Sequence, residues 1–384
     1  MSGRNQQLRI VALHTPLDAT IRRVSVSSRG TEISLPPYAP QGVRPRFQSQ
    51  DFWLSSQCLA HISSSQEGIL LYLYEHNASH MFTDVVSWND PSVQVDKIRQ
   101  LGGRQFTAFP AHHFFVRIYR PAAIATALLN RTPTFCGDPD WVTIPWQYHP
   151  KTPFDRLLDI VSQIPPLLQR LDQLFDFRPT MARRLMARNL LDNCLGVQIA
   201  LEHWHVTLHQ TVYHSQQPYW ISSSQPGLQL PFVDAFAFAD QLTSLTFLYY
   251  WAAQVLFYPC IGLLNQMIFS PVVDTYSQGR NYLEPPLNLN IDPELFGPNK
   301  ARNIAMNICM GLEAALATST QPDLLAFPVH VVDTLYRGLS VVAQTGEGAL
   351  ELLWLDGFRE RMMIKGQALA GVTMGKSFQD LADW

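Results

Sequence analysis

Two histidines lie four residues apart, His205 closing the run Glu202-His203-Trp204-His205 and His209 following it. On a helix they share one face and border the apolar stripe Met186, Leu190, Cys194, Val197, Leu201, Trp204 and Leu208, whereas His203 points the other way. Three readings fit the pair. Imidazoles at this spacing can hold a metal ion, but a third ligand must come from elsewhere and no His-Glu-x-x-His context surrounds them. They can act as general acid and base facing a pocket. Most often, such a pair is two half-buried rings hydrogen-bonded to their neighbours, with no chemistry at all.

A second pair, His113 and Arg117, also shares a face if its stretch is helical, and could orient a carbonyl or carboxylate. A solvated edge or an internal salt bridge is the plainer alternative. Tyr249, Tyr250, Trp251 and Tyr258 crowd one apolar run. With Trp204 and Tyr336 they are the candidates for lining a pocket that takes a large apolar guest while hydroxyls orient it. Aromatics at helical spacing are by default plain core, and Tyr336 and His330, on a helix that reads as internal, can simply cap a buried network.

Other chemistries are missing from the sequence. No Gly-x-Gly-x-x-Gly, P-loop or Gly-x-Ser-x-Gly motif occurs, nor an aspartate-rich run that would hold a magnesium diphosphate. The five cysteines, Cys58, Cys136, Cys194, Cys260 and Cys309, are widely spaced, with no Cys-x-x-Cys pair to build a zinc site. Their odd number and apolar surroundings suit reduced thiols in an intracellular, cytoplasmic protein, and the first residues lack the apolar core of a secretory signal. A net charge of −3 gives no electrostatic footprint for nucleic acid. The expectation is therefore no metal, no cofactor and no direct nucleic-acid partner.

The elements that must position these residues read as helices. Of the 384 residues, 47% are hydrophobic, 11% aromatic and 15% charged, enough for one large core, while 27 prolines imply many interruptions. Residues 1–50 read as an extended arm and 51–384 as a single helical domain with little strand. The apolar run Gly68 to Tyr74 fits strand or helix. Leu157, Val161, Ile164, Leu168, Leu171 and Phe175 form one face that Pro165-Pro166 should kink or split. The stripe from Met186 to Leu208 predicts a helix of roughly six turns. Phe236 to Phe269 reads as one buried element. Its uncharged stretch Leu245 to Leu264 is long enough for a bilayer, but Gln254, Pro259 and the lack of Lys or Arg flanks favour a central core helix over a membrane span. Residues 270–298 read as a long ordered loop. Pro298 introduces a helix carrying Ile304, Ile308, Leu312 and Leu316; another follows Phe327-Pro328; Leu350, Trp354, Phe358 and Met362 mark the last and most amphipathic.

Three segments, in order, resemble the C-terminal regulatory domain of fungal-specific binuclear-zinc-cluster transcription factors: ALLNRTPTFCGDPDWVTIPW with KTPFDRLLDIVSQIPPLL; FADQLTSLTFLYYWAAQVLFYPCIGLL; and ARNIAMNICMGLEAAL with FPVHVVDTLYRG and WLDGF. The resemblance covers roughly residues 50–384 and implies an all-α, irregular multi-helix domain. The family's six clustered cysteines, which bind two zinc ions, and the basic linker after them have no counterpart, since no cysteine precedes Cys58. Two functions follow from a regulatory fold without that module. One is a cofactor-independent enzyme of fungal natural-product biosynthesis, binding a large apolar substrate and directing a cyclisation or isomerisation, pericyclic reactions of the Diels–Alder type included. The other is a regulator, nuclear and acting through partner proteins or ligand sensing. Homodimerisation is open under both.

Overall fold

The computed structural model describes residues 98–109, 111–211, 217–223, 231–232, 234–272, 293–343 and 347–374. The proposed arm 1–50, the Gly68 to Tyr74 run, Cys58 and most of the 270–298 loop lie outside them. The described residues are all-α with one short ribbon: helix dominates and strand is confined to a single antiparallel pair.

A 3-10 turn lies at Gly103–Phe106; from Ala111, α1 (Ala111–Phe114), a π turn at Phe115–Tyr119 and α2 (Arg120–Asn130) follow one another without a break. The short α3 (Pro139–Thr143) follows. Next, α4 (Pro153–Val161) is opened by a reciprocal cap in which Thr152 Oγ1 accepts from Asp155 N and Asp155 Oδ2 accepts from Thr152 N, satisfying two end donors at once. The two prolines split the expected face rather than kinking it. α5 begins at Ile164 and runs to Phe175, so both prolines fall in its first turn, where a missing N–H breaks no intrahelical bond.

The stripe helix, α6 (Met181–Thr211), is 31 residues long, well beyond six turns. Its inward face starts one turn later than the sequence suggests, because Met186 is 47% exposed whereas Leu190, Cys194, Leu201, Trp204 and Leu208 are buried. Phe236 does not belong to the helix after it. It sits in β2 (Asp234–Phe238), paired with β1 (Tyr219–Ser223) so that Tyr219 faces Phe238. Alternation of aromatic and small residues in Asp234–Phe238 is a strand pattern that the longer apolar run masked.

The central element is α7 (Gln241–Phe269), capped by Asp240 Oδ1 accepting from Thr243 N at 2.7 Å. Among the described residues it alone is long and apolar enough to cross a membrane, and that window is mostly buried inside the protein. α4, α5, α6, α8 (Pro298–Thr318) and α9 (Ala326–Ala343) pack around it. Helices apolar all round occupy such central positions because every face finds a neighbour. The ribbon lies against α8 at Gly311, where an added Cβ would come within 3.0 Å of the Phe238 ring. Phe327-Pro328 lies inside the first turn of α9 rather than before it. The last helix, α10 (Ala349–Met374), buries Phe358 and Met362 but exposes Leu350, Leu353 and Ile364 at 61%, 70% and 65%, so it is not the cleanly amphipathic helix its Leu350-to-Met362 face predicts.

Candidate functional site

Two helix faces meet along the α6–α7 seam. On α6 the contributing positions are Cys194, Gln198, Glu202, His205 and His209, spaced by three or four residues. On α7 they are Tyr250, Gln254 and Tyr258, spaced by four. Both helices are long and continuous here, so the spacing sets these side chains in two facing rows.

At the outer end, the ring nitrogens of His205 and His209 (Nε2 to Nε2) are 3.2 Å apart, so one donates and the other accepts. The His205 ring stacks on Tyr250 with centroids 5.2 Å apart and planes 3° from parallel. Trp204 packs on the same tyrosine at 5.3 Å, and its Nε1 donates to the Pro153 carbonyl, tying the seam to the start of α4. Phe247 touches both imidazoles edge-on and leads to Tyr219 and Trp251. Both histidines are half-buried, with Glu202, His203 and Val206 exposed around them.

Burial, reinforced by His209, holds the His205 pKa below its ordinary value, which keeps the ring neutral and able to accept a proton at neutral pH. Burial pushes the Tyr250 hydroxyl far up, Tyr258 adds to the rise and a hydrogen bond with Gln254 opposes it, so this phenol stays protonated. Deeper in, Tyr258 Oη accepts from Gln254 Nε2 at 2.7 Å and from Gln198 Nε2 at 3.1 Å, and Gln198 Nε2 also donates to Glu202 Oε1 at 2.8 Å. Below that, the Cys194 and Cys260 sulfurs lie 4.0 Å apart as free thiols. A neutral base, protonated phenols and amides set in an aromatic wall can together move a proton on an organic molecule.

The structure thus gathers Trp204, His205, His209, Tyr250 and Tyr258, with Trp251 one ring away. It places the other candidates elsewhere. Tyr249 is fully buried and turned away from the seam, donating to the Leu324 carbonyl at 3.2 Å and packing against Phe154 and Phe327. Tyr336 is buried against Cys309, with which it hydrogen-bonds. His113 and Arg117 remain neighbours at the π turn. Burial first, then the Arg117 charge, lowers the His113 pKa, and the ring packs against Phe109, in the first part of the domain rather than on α6. Among the described residues no three His, Cys, Asp or Glu side chains gather as metal ligands.

Sequence reasoning missed two groups. The glutamines Gln198 and Gln254 knit the seam, and Gln254 was visible as the polar exception in an uncharged apolar helix. The other is around Arg120, which is 0% exposed and donates to Asp159 Oδ1 and to the Asp155 carbonyl. Lys151 binds the second oxygen of Asp159, and both cations lie 4.7 Å from the centroid of the Trp146 ring. This cluster joins α2 to α4, with two cations sharing one carboxylate, which suits a structural clamp. An arginine directly before Pro121 gives no pattern that would have revealed it.

Fold and seam define an all-α protein with a half-buried imidazole pair at the edge of an aromatic helix–helix contact. No protein-family model, curated protein or solved structure matches the chain.

Proposed function

We propose that the protein is an enzyme that needs no metal or redox cofactor and acts on a large, mostly apolar organic molecule, cyclising or isomerising it at the outer edge of the α6–α7 seam. The observation that carries this reading is the His205–His209–Tyr250 arrangement: a neutral imidazole backed by a second imidazole and laid flat on a protonated phenol. A substrate held there meets a base and a phenol beside an aromatic wall, so proximity and one or two hydrogen bonds supply the catalysis. Exposed Val206, at 50%, offers apolar footing next to His205. The resemblance to a fungal regulatory domain supports a setting in natural-product biosynthesis.

The test is deletion of the gene, followed by metabolite and transcript profiling. An acyclic or unrearranged precursor should accumulate with transcripts unchanged. Purified protein should convert that precursor, and His205→Gln should lower kcat by roughly 10²-fold or more while leaving KM within a few-fold. Altered transcripts with no accumulating precursor would replace the enzyme by a regulator acting through partner proteins. Turnover insensitive to His205 would move the chemistry away from this seam.

A further inference from the structure

α6 and α7 run antiparallel, and hydrogen bonds fix their register at two levels. Toward one end Arg184 donates to the Ser270 carbonyl at 2.6 Å, and nearer the middle Gln198 hydrogen-bonds Tyr258 at 3.1 Å. Cys194 and Cys260 lie between those levels, 66 positions apart in sequence, with their sulfurs 4.0 Å apart. Both are buried, and both are free thiols. Neither helix can slide to part them without breaking the bonds on either side. The other described thiols face hydroxyls instead: Cys136 lies beside Thr134 and Tyr119, and Cys309 beside Tyr336. A disulfide needs its sulfurs about 2.05 Å apart, so the gap to close is about 2 Å. Turning χ1 at the two residues covers a distance of that size.

We infer that Cys194 and Cys260 form a redox site, which a peroxide converts into a disulfide stapling α6 to α7. Cys260 is the more exposed of the two, at 2% against 0%, and meets the oxidant first. Its thiolate attacks hydrogen peroxide: an S–O bond forms, the O–O bond breaks, and the departing hydroxide takes a proton to leave as water. The Cys194 thiolate then attacks the resulting sulfenic acid, forming the S–S bond and releasing the oxygen as a second water. Two thiols thus lose two protons and two electrons, and one peroxide becomes two waters. Burial limits the rate rather than the outcome. Hydrogen peroxide is small and uncharged, and local opening of the seam admits it. The hydrogen bond with Cys194, then burial, keeps the Cys260 thiol protonated, so the reaction takes hours rather than minutes. The staple closes a long loop, which restrains the unfolded chain and favours the folded one. None of this draws on the proposed catalysis, which uses no thiol.

The test incubates the reduced full chain with hydrogen peroxide, blocks remaining thiols with iodoacetamide in urea, and maps peptides without reductant. The expected product is a Cys194–Cys260 cross-linked peptide pair that dithiothreitol separates. Its melting temperature should stand roughly 5 °C or more above that of the reduced chain. Cys260→Ala and Cys194→Ala should each remove both the cross-link and the rise in Tm. If one variant fails to fold the other decides, and if both fail the wild-type map decides alone. Cys194 and Cys260 both remaining open to iodoacetamide would overturn the inference. So would oxidation to sulfinic or sulfonic acid without a cross-link, or pairing with Cys58, Cys136 or Cys309 instead. A cross-link that forms only when peroxide meets the urea-unfolded chain counts against it equally. One that leaves Tm unchanged or lower refutes the staple.

Discussion

Arg120→Met is the sharpest test of what holds the first half of the domain together. Arg120 is 0% exposed, and its guanidinium donates to Asp159 Oδ1 at 2.5 Å and to the Asp155 carbonyl at 3.1 Å. Breaking a buried ion pair by removing one partner typically costs about 3–5 kcal/mol, because the other charge is left uncompensated in low dielectric. Two features place this case at the lower end. Asp159 keeps Lys151 at 2.5 Å, and its side chain is 21% exposed, so part of the orphaned charge is still met. Methionine also fills much of the arginine stem and keeps contact with Trp146. The expected loss is about 3 kcal/mol, a fall of roughly 1 M in the urea midpoint at an m-value of about 3 kcal/mol per M.

The assay is urea denaturation followed by tryptophan fluorescence and circular dichroism, with Asp159→Asn and the double variant completing a cycle. If the pair is coupled as drawn, the double variant will be less destabilised than the sum of the singles. Arg120→Lys should recover only part of the loss, since an ammonium cannot reach both the carboxylate and the Asp155 carbonyl with the arginine's fork. An Arg120→Met chain within about 0.5 kcal/mol of wild type would refute the reasoning, showing that the guanidinium's desolvation cancels everything it binds.

Asp240→Ala removes the cap of the central helix and should cost about 1 kcal/mol, with Asp240→Asn nearly neutral; equal losses in the two would mean that charge rather than the cap bond matters. Acidification should destabilise the chain from about pH 6.5 downward. His112, His113 and His205 all have pKa values lowered chiefly by burial from an ordinary 6.5, so below that pH the unfolded chain binds more protons than the folded one and stability falls until the folded values are passed. Melting temperatures from pH 8 to pH 5 will show the fall, and Gln at these positions should flatten it; a Tm that rises on acidification through that window contradicts the buried, neutral state of these rings.

The helices were legible because long, strongly periodic faces leave little choice: α6 and α8 each bury the stripe their spacing announces, apart from Met186 in the second turn of α6. The errors fall where periodicity is silent. An unbroken apolar run conceals whether it begins as strand or helix, and Phe236 belongs to a ribbon because its alternation with alanine serves a two-sided surface, which composition alone cannot separate from a helix start. The candidate site follows the same division. His205 and His209 could be paired from their spacing on one helix, but Tyr249 and Tyr250 are adjacent in sequence and point about 100° apart around α7, so only the packing of α6 against one and of Phe154 and Phe327 against the other decides which is core and which lines the seam. Gln254 offers the transferable lesson. A single amide within an uncharged apolar helix must find buried partners or forfeit its hydrogen bonds. It therefore points to the face on which another helix presents polar groups, and here that face carries Tyr250, Tyr258 and, across the seam, Gln198.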